Sequence, residues 1–151
     1  MSDSPSAPGS FTSGAYPRAA AVIGLGLIGG SLALRLRAAG VRVTGIDVDA
    51  QVLAAARARH AVDESSDALA AAATTDLVII ATPLDRIAEI AIAVAPHLRP
   101  GTVLTDTGSV KAPVVAAVEA ALPAGVRFVG GHPIAGSEGH GFAAQDRKSV
   151  V

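Results

Sequence analysis

Gly24-Leu25-Gly26-Leu27-Ile28-Gly29 directly follows the short apolar run Ala19–Ile23 and opens a segment with apolar residues at Ile28, Leu32, Leu36 and Ala39. Three glycines at this spacing, between a predicted strand and a predicted helix, form the turn that lets backbone wrap a pyrophosphate. Each glycine has its own reason for lacking a Cβ: Gly24 permits the tight turn, Gly26 lets main chain approach phosphate, and Gly29 lets the helix pack against the strand. The helix N-terminus then offers unpaired N–H groups to an anion, so Leu27 and Ile28 join the three glycines as candidate cofactor-binding positions. The bland alternative is a set of turn glycines with no ligand.

Outward from that stretch, short apolar runs recur at 41–46, 77–81 and 102–105, and a fifth strand is expected over Arg127–Val129. Each is brief and bounded by Gly, Asp or Pro, as buried strands are. Helical spacing separates them, for example at Leu84, Ile87, Ile90, Val94 and Leu98. Helix ends are marked as well. Asp49 can cap a helix over 51–59, Gly40 follows the first helix, Pro100 and Gly101 close a later one, and a last helix runs from near Pro113 to Pro123. The Ala-rich stretch 68–73 reads as a short surface helix. Strands alternating with helices at this interval require crossover connections, so the fold expected is α/β, a Rossmann-type doubly wound parallel sheet.

Bulk properties narrow the function. The chain has 151 residues, half of them hydrophobic, which suffices for one core. A net charge of −1, from twelve basic and thirteen acidic residues, carries no footprint of a nucleic-acid binder or a polybasic membrane anchor. With no cysteine, a catalytic thiol and a thiolate metal site are excluded. No histidine and carboxylate set has metal-ligand spacing, so no metal is expected. Residues 1–17 read as a disordered leader without the marks of a signal peptide, 18–145 as the dinucleotide-binding domain, and 146–151 (DRKSVV), which coincides with one reading frame of a common sequencing adapter, as a non-native tail. The expected location is cytoplasmic.

Chemistry should gather at the carboxyl ends of the strands, where ligands of open α/β sheets bind. Asp47 ends the second strand; a carboxylate there accepts hydrogen bonds from ribose hydroxyls and repels a ribose phosphate, which favours NAD over NADP. Asp49 reads as a helix cap instead. Ala81-Thr82-Pro83 follows the third run, and Thr82 either lines the cofactor cleft or caps the next helix. Asp106-Thr107-Gly108-Ser109-Val110-Lys111 follows the fourth, with helix capping by Ser109 and a solvated Lys111 as its ordinary reading. After the fifth comes a Gly-rich segment over 130–141 containing His132, Glu138 and His140. An imidazole beside a glycine-rich loop on the cofactor edge can serve as a base. His60 and His97, at expected helix ends, read as structural.

GLGLIGGS, Asp47, ATP at 81–83, DTGSVK at 106–111 and GHPIAGSEGHG at 131–141 together resemble the prephenate and arogenate dehydrogenases, in order from about Ala19 to Phe142. The resemblance implies oxidative decarboxylation of prephenate to 4-hydroxyphenylpyruvate, or of arogenate to tyrosine, with hydride passing to NAD or NADP. It implies that His132 takes the ring-hydroxyl proton, that Ser109 helps orient that hydroxyl, and that Pro83 with Thr82 borders the cofactor. Glu138 matches an acidic position near the substrate side chain. Members of this family continue into a helical dimerisation domain that completes the substrate site and makes a homodimer, and this sequence lacks such a region. Two rivals remain: another Rossmann dehydrogenase of the β-hydroxyacid type, which does not account for GHPIAGSE, and a non-catalytic NAD-binding module, which needs no His132.

Overall fold

The computed structural model describes residues 17–108 and 112–131. The expected leader up to Tyr16, the tail 146–151, and Ser109, Lys111, His132, Glu138 and His140 lie outside the described residues.

Ten regular elements succeed one another in the described residues: β1 (Ala19–Ile23), α1 (Leu27–Ala38), β2 (Arg42–Ile46), α2 (Ala50–Ala58), β3 (Glu64–Ser66), β4 (Leu77–Ile80), α3 (Ile87–Val94), β5 (Val103–Asp106), α4 (Ala112–Ala121) and β6 (Arg127–Val129). The strands form one parallel sheet ordered β3-β2-β1-β4-β5-β6. Side chains of a strand alternate between faces. Thus Ala20 and Val22 of β1 pack with Ala33, Val43, Leu53 and Ala56 in one core cluster. Ala21 and Ile23 pack with Ile80, Ile87, Val94 and Leu104 in another. Helices α1 and α2 therefore cover one face and α3 and α4 the other. The chain changes face between β3 and β4, which places the topological switch, and the crevice that goes with it, where β1 and β4 part.

Three expectations are corrected in detail. The stretch 68–73 is a 3₁₀ turn over Leu69–Ala72 whose Ala72 is fully buried against the sheet, so it is a core piece and not a surface helix. The periodic span 84–98 is a helix with a 3₁₀ turn at either end, Leu84–Arg86 and Ala95–His97; Pro96, which has no N–H to continue the ladder, sits in the second. Strand β3 was not expected at all. Its sequence is Glu-Ser-Ser, too short and polar to carry a hydrophobic pattern, and it is ordered by pairing Glu64, Ser65 and Ser66 with Thr44, Gly45 and Ile46.

At the amino edge of the sheet, two aspartates tie elements together. Asp63 accepts from the Val43 amide at 2.7 Å and pairs with Arg37 at 2.9 Å. Asp76 accepts from the amides of Arg18 and Ala19 and pairs with Arg99 at 3.0 Å. No helix of the described residues is long and apolar enough to cross a membrane.

Candidate nucleotide-binding site

The glycine turn takes the shape its spacing calls for. Gly24 has φ +91°, in the region that L side chains rarely adopt, and its amide donates to the Ile46 carbonyl at 2.8 Å, so the turn is anchored to β2 as well as to β1. A Cβ on Gly29 would lie 1.8 Å from the Gly24 carbonyl oxygen and 3.1 Å from the Ala81 Cβ, which is the close approach of α1 to the strand layer. Around Gly26 the situation is reversed: nothing stands within 4 Å of a Cβ built there. Gly26 is the N-cap of α1, with no side-chain cap. Leu27 and Ile28, the first two helical residues, are exposed, Leu27 at 92% and Ile28 at 59%. The first turn of α1 thus presents main chain to open space.

Asp47, half-buried at the end of β2, is held by main chain on both oxygens. Oδ2 accepts from the Leu25 amide at 2.8 Å, inside the glycine turn, and Oδ1 from the Asp49 amide at 2.9 Å. A carboxylate has about four acceptor directions, so two bonds orient it and leave capacity for donors arriving from the cleft. Asp49 caps α2, its side chain accepting from the Gln51 amide at 2.9 Å, as expected of it.

A cleft of about 530 Å³ opens at this edge, lined among others by Gly24, Gly26, Asp47, Ala81, Thr82 and Pro83. Candidates from three separate stretches of sequence are thereby brought to one wall. Thr82 lines this cleft and does not cap the following 3₁₀ turn: Pro83 holds its N-cap position, and no side chain caps it. The Thr82 Oγ1 atom is buried without a hydrogen-bond partner. Sequence reasoning missed Val48, Asp67, Leu69, Arg86 and Ile90 as lining residues. Arg86, paired with Glu89 at 2.6 Å, lies in the stretch after β4, and a wider window around Thr82 includes it. Asp67 and Leu69 follow β3, which had no legible signal. His60 has φ +57° just beyond the end of α2, and its carbonyl accepts from Arg37 at 2.6 Å.

The residues present fit a dinucleotide. The space over Gly26 is free where a phosphate would approach main chain, Asp47 is already turned to the cleft, and the unpartnered Thr82 hydroxyl lies in its wall. Farther along the same edge, Asp106 ends β5, 3% exposed, and its carboxylate accepts from the amides of Gly108 at 2.8 Å and Gly131 at 3.0 Å. Among the described residues no group of three metal-ligating side chains comes together.

Sheet order, switch point, glycine turn and strand-end carboxylate define a dinucleotide-binding domain of the doubly wound class. Residues 32–150 match the family described as prephenate dehydrogenase, nucleotide-binding domain, and the chain belongs to that family. The match begins beyond Gly29, so membership is carried by residues other than the glycine turn. Prephenate dehydrogenase of Bacillus subtilis is 38% identical over 128 residues, covering 80% of this chain and 34% of that protein. Among solved structures, Synechocystis arogenate dehydrogenase superposes with a TM-score of 0.70 at 33% identity, covering 76% of this chain and 40% of the other. Prephenate dehydrogenase from A. aeolicus, in complex with hydroxyphenyl propionate and NAD+, also gives 0.70, at 32% identity over 79% of this chain and 42% of that one. The chain spans between 34% and 42% of the length of the curated relatives it matches.

Proposed function

We propose that this chain is the cofactor-binding half of a cytoplasmic, NAD-dependent dehydrogenase that oxidatively decarboxylates prephenate, or its amino counterpart arogenate, and acts as a homodimer when joined to the remainder found in its relatives. The observation that carries the cofactor reading is the Asp47 carboxylate, fixed by the Leu25 and Asp49 amides at the rim of the glycine-lined cleft. Such a group accepts from both ribose hydroxyls and repels a 2′-phosphate, hence NAD over NADP. Gly24, Gly26 and Gly29, with the amides of Leu27 and Ile28, hold the pyrophosphate, and Thr82 and Pro83 border the nicotinamide side.

Bound NAD supplies the hydride acceptor. His132 takes the proton from the ring hydroxyl as that carbon gives up its hydride, and the ring carboxylate leaves as carbon dioxide, so the ring becomes aromatic. Ser109 orients the hydroxyl, and Glu138 is the acidic group assigned to the substrate side chain, both by resemblance to the family motifs. A substrate dianion needs paired cations to leave water, and Lys111 is one such group in the DTGSVK motif. Calorimetric titration with NAD and NADP, followed by prephenate plus cofactor with absorbance read at the reduced nicotinamide, tests this reading. Tighter NAD than NADP binding is expected. Failure to bind either removes the cofactor reading; NAD binding with no turnover even in a chain completed by the remainder found in its relatives leaves a nucleotide-binding module.

A further inference from the structure

The buried Asp106 carboxylate is not among the residues lining the nucleotide cleft, and it does something strand pairing does not. The β5–β6 register ends at Thr105↔Val129. Beyond that pair, Oδ2 of Asp106 accepts from Gly108 in the loop leaving β5, and Oδ1 from Gly131 in the backbone leaving β6. One side chain therefore spans the two strand exits. The fit is close: a Cβ on Gly131 would stand 1.7 Å from the Asp106 carbonyl oxygen, and one on Gly108 would meet Ile87 Cδ1 at 2.6 Å and Leu84 Cδ1 at 2.8 Å. A third tie, from the Thr107 amide to the Ile80 carbonyl at 3.0 Å, fixes the same exit to β4.

A carboxylate loses its hydration on burial and is retained where charge-assisted bonds replace it. At the amino edge, Asp63 and Asp76 also accept from main chain, but they are partly exposed ion-pair members and no candidate chemical group adjoins the amides they hold. Each of the two amides held by Asp106 does adjoin one. Ser109 is the next residue after Gly108, and His132 is the next after Gly131. We propose that Asp106 is a positioning residue for the reaction: through the Gly108 and Gly131 amides it fixes both strand exits, the backbone that immediately precedes Ser109 and His132 in the sequence. This rests on the reading of Ser109 and His132 as the groups at the reacting centre. Displacement of such groups by about 1 Å costs on the order of 100-fold in rate, which is why a dedicated tie matters.

The test is imidazole NMR on the 151-residue chain, with His132 assigned by its loss in His132→Asn, comparing wild type with Asp106→Asn. Asparagine offers one acceptor oxygen and an NH₂ group, so one of the two glycine amides loses its partner. The His132 resonances and titration midpoint are expected to shift while those of His60 and His97 superimpose and NAD affinity is unchanged. A His132 titration identical in the two proteins overturns the proposal. Hydrogen exchange in the wild type needs no variant to fold: Gly108 and Gly131 amides should be protected, and free exchange at either one also overturns it. Failure of the base role itself shows elsewhere, as undiminished turnover by His132→Asn, and leaves the NMR comparison intact.

Discussion

Where β1, β2 and β4 end, the sheet edge is built around main chain and open space; where β5 and β6 end, it is built around a buried side chain and near-contact. At the first corner nothing stands within 4 Å of a Cβ on Gly26, and Asp47 is half-exposed with its oxygens steered by two amides. At the second, Asp106 is 3% exposed and a Cβ on Gly131 would overlap the neighbouring carbonyl. The difference suits the two tasks proposed for these corners. A corner that receives a large flexible ligand needs room and exposed donors, whereas a corner that fixes reacting groups relative to one another needs ties that leave no play.

The largest effect should come from closing the gap on which the first corner depends. Gly29→Ala sets a methyl 1.8 Å from the Gly24 carbonyl oxygen, a backbone atom that cannot swing aside, so α1 must shift off the sheet. The expected destabilisation is about 3 kcal/mol in urea unfolding, with NAD binding lost. Stability within 0.5 kcal/mol of wild type, roughly the range of neutral surface changes, would mean that the turn adapts freely. Next in size, on the proposed function, is His132→Asn in a chain completed by the remainder found in its relatives, where turnover should fall by ~100-fold or more at undiminished NAD affinity. Wild-type turnover there would leave the second corner without its chemistry.

The two corners were not equally legible. Gly24, Gly26 and Gly29 lie within six residues between an expected strand and an expected helix, so spacing and context together mark the turn, and Asp47 follows at the end of the second strand. The sheet alternation was legible for the same reason: each buried strand is a short apolar run bounded by breakers. What spacing does not convey is a contact made by register. Asp106 and Gly131 are 25 residues apart and meet because β5 pairs with β6; a sequence reader sees an acid in a polar loop and no reason to connect it to a glycine in another. β3 failed for a different physical cause: its three residues are ordered by β2 and contribute almost no pattern of their own. Arg86, Asp67 and Leu69 entered the cleft wall through the same kind of tertiary placement.

Asp47→Ala sharpens the comparison from the cofactor side. It removes the proposed ribose acceptor, with the charge that would oppose a 2′-phosphate, and it also releases the Leu25 amide that the carboxylate holds within the turn. Hydrogen bonds to a charged group contribute about 1.5–3 kcal/mol, so NAD affinity should drop by roughly 10- to 150-fold, while NADP affinity changes less and the preference between them narrows. Equal losses for both cofactors would show that Asp47 serves only to shape the turn.

The smallest expected effect discriminates most finely, because two of its readouts move in opposite directions. The Thr82 hydroxyl is buried in the cleft wall without a partner, and an unsatisfied buried hydroxyl is a cost that the free protein carries. Thr82→Val replaces it by a methyl of nearly the same shape. Thermal unfolding of the free chain should therefore show a gain of up to ~1 kcal/mol, since no hydrogen bond is given up. If the wall adjusts on binding so that this hydroxyl finds its partner on the cofactor, NAD affinity should fall by a few-fold in the same variant, about the worth of one neutral hydrogen bond. A gain in stability with unchanged affinity would restrict Thr82 to the wall and leave Asp47 and the glycine turn to account for recognition. A loss of stability would mean that the hydroxyl has a partner in solution, and the open corner would then be more tightly built than its geometry indicates.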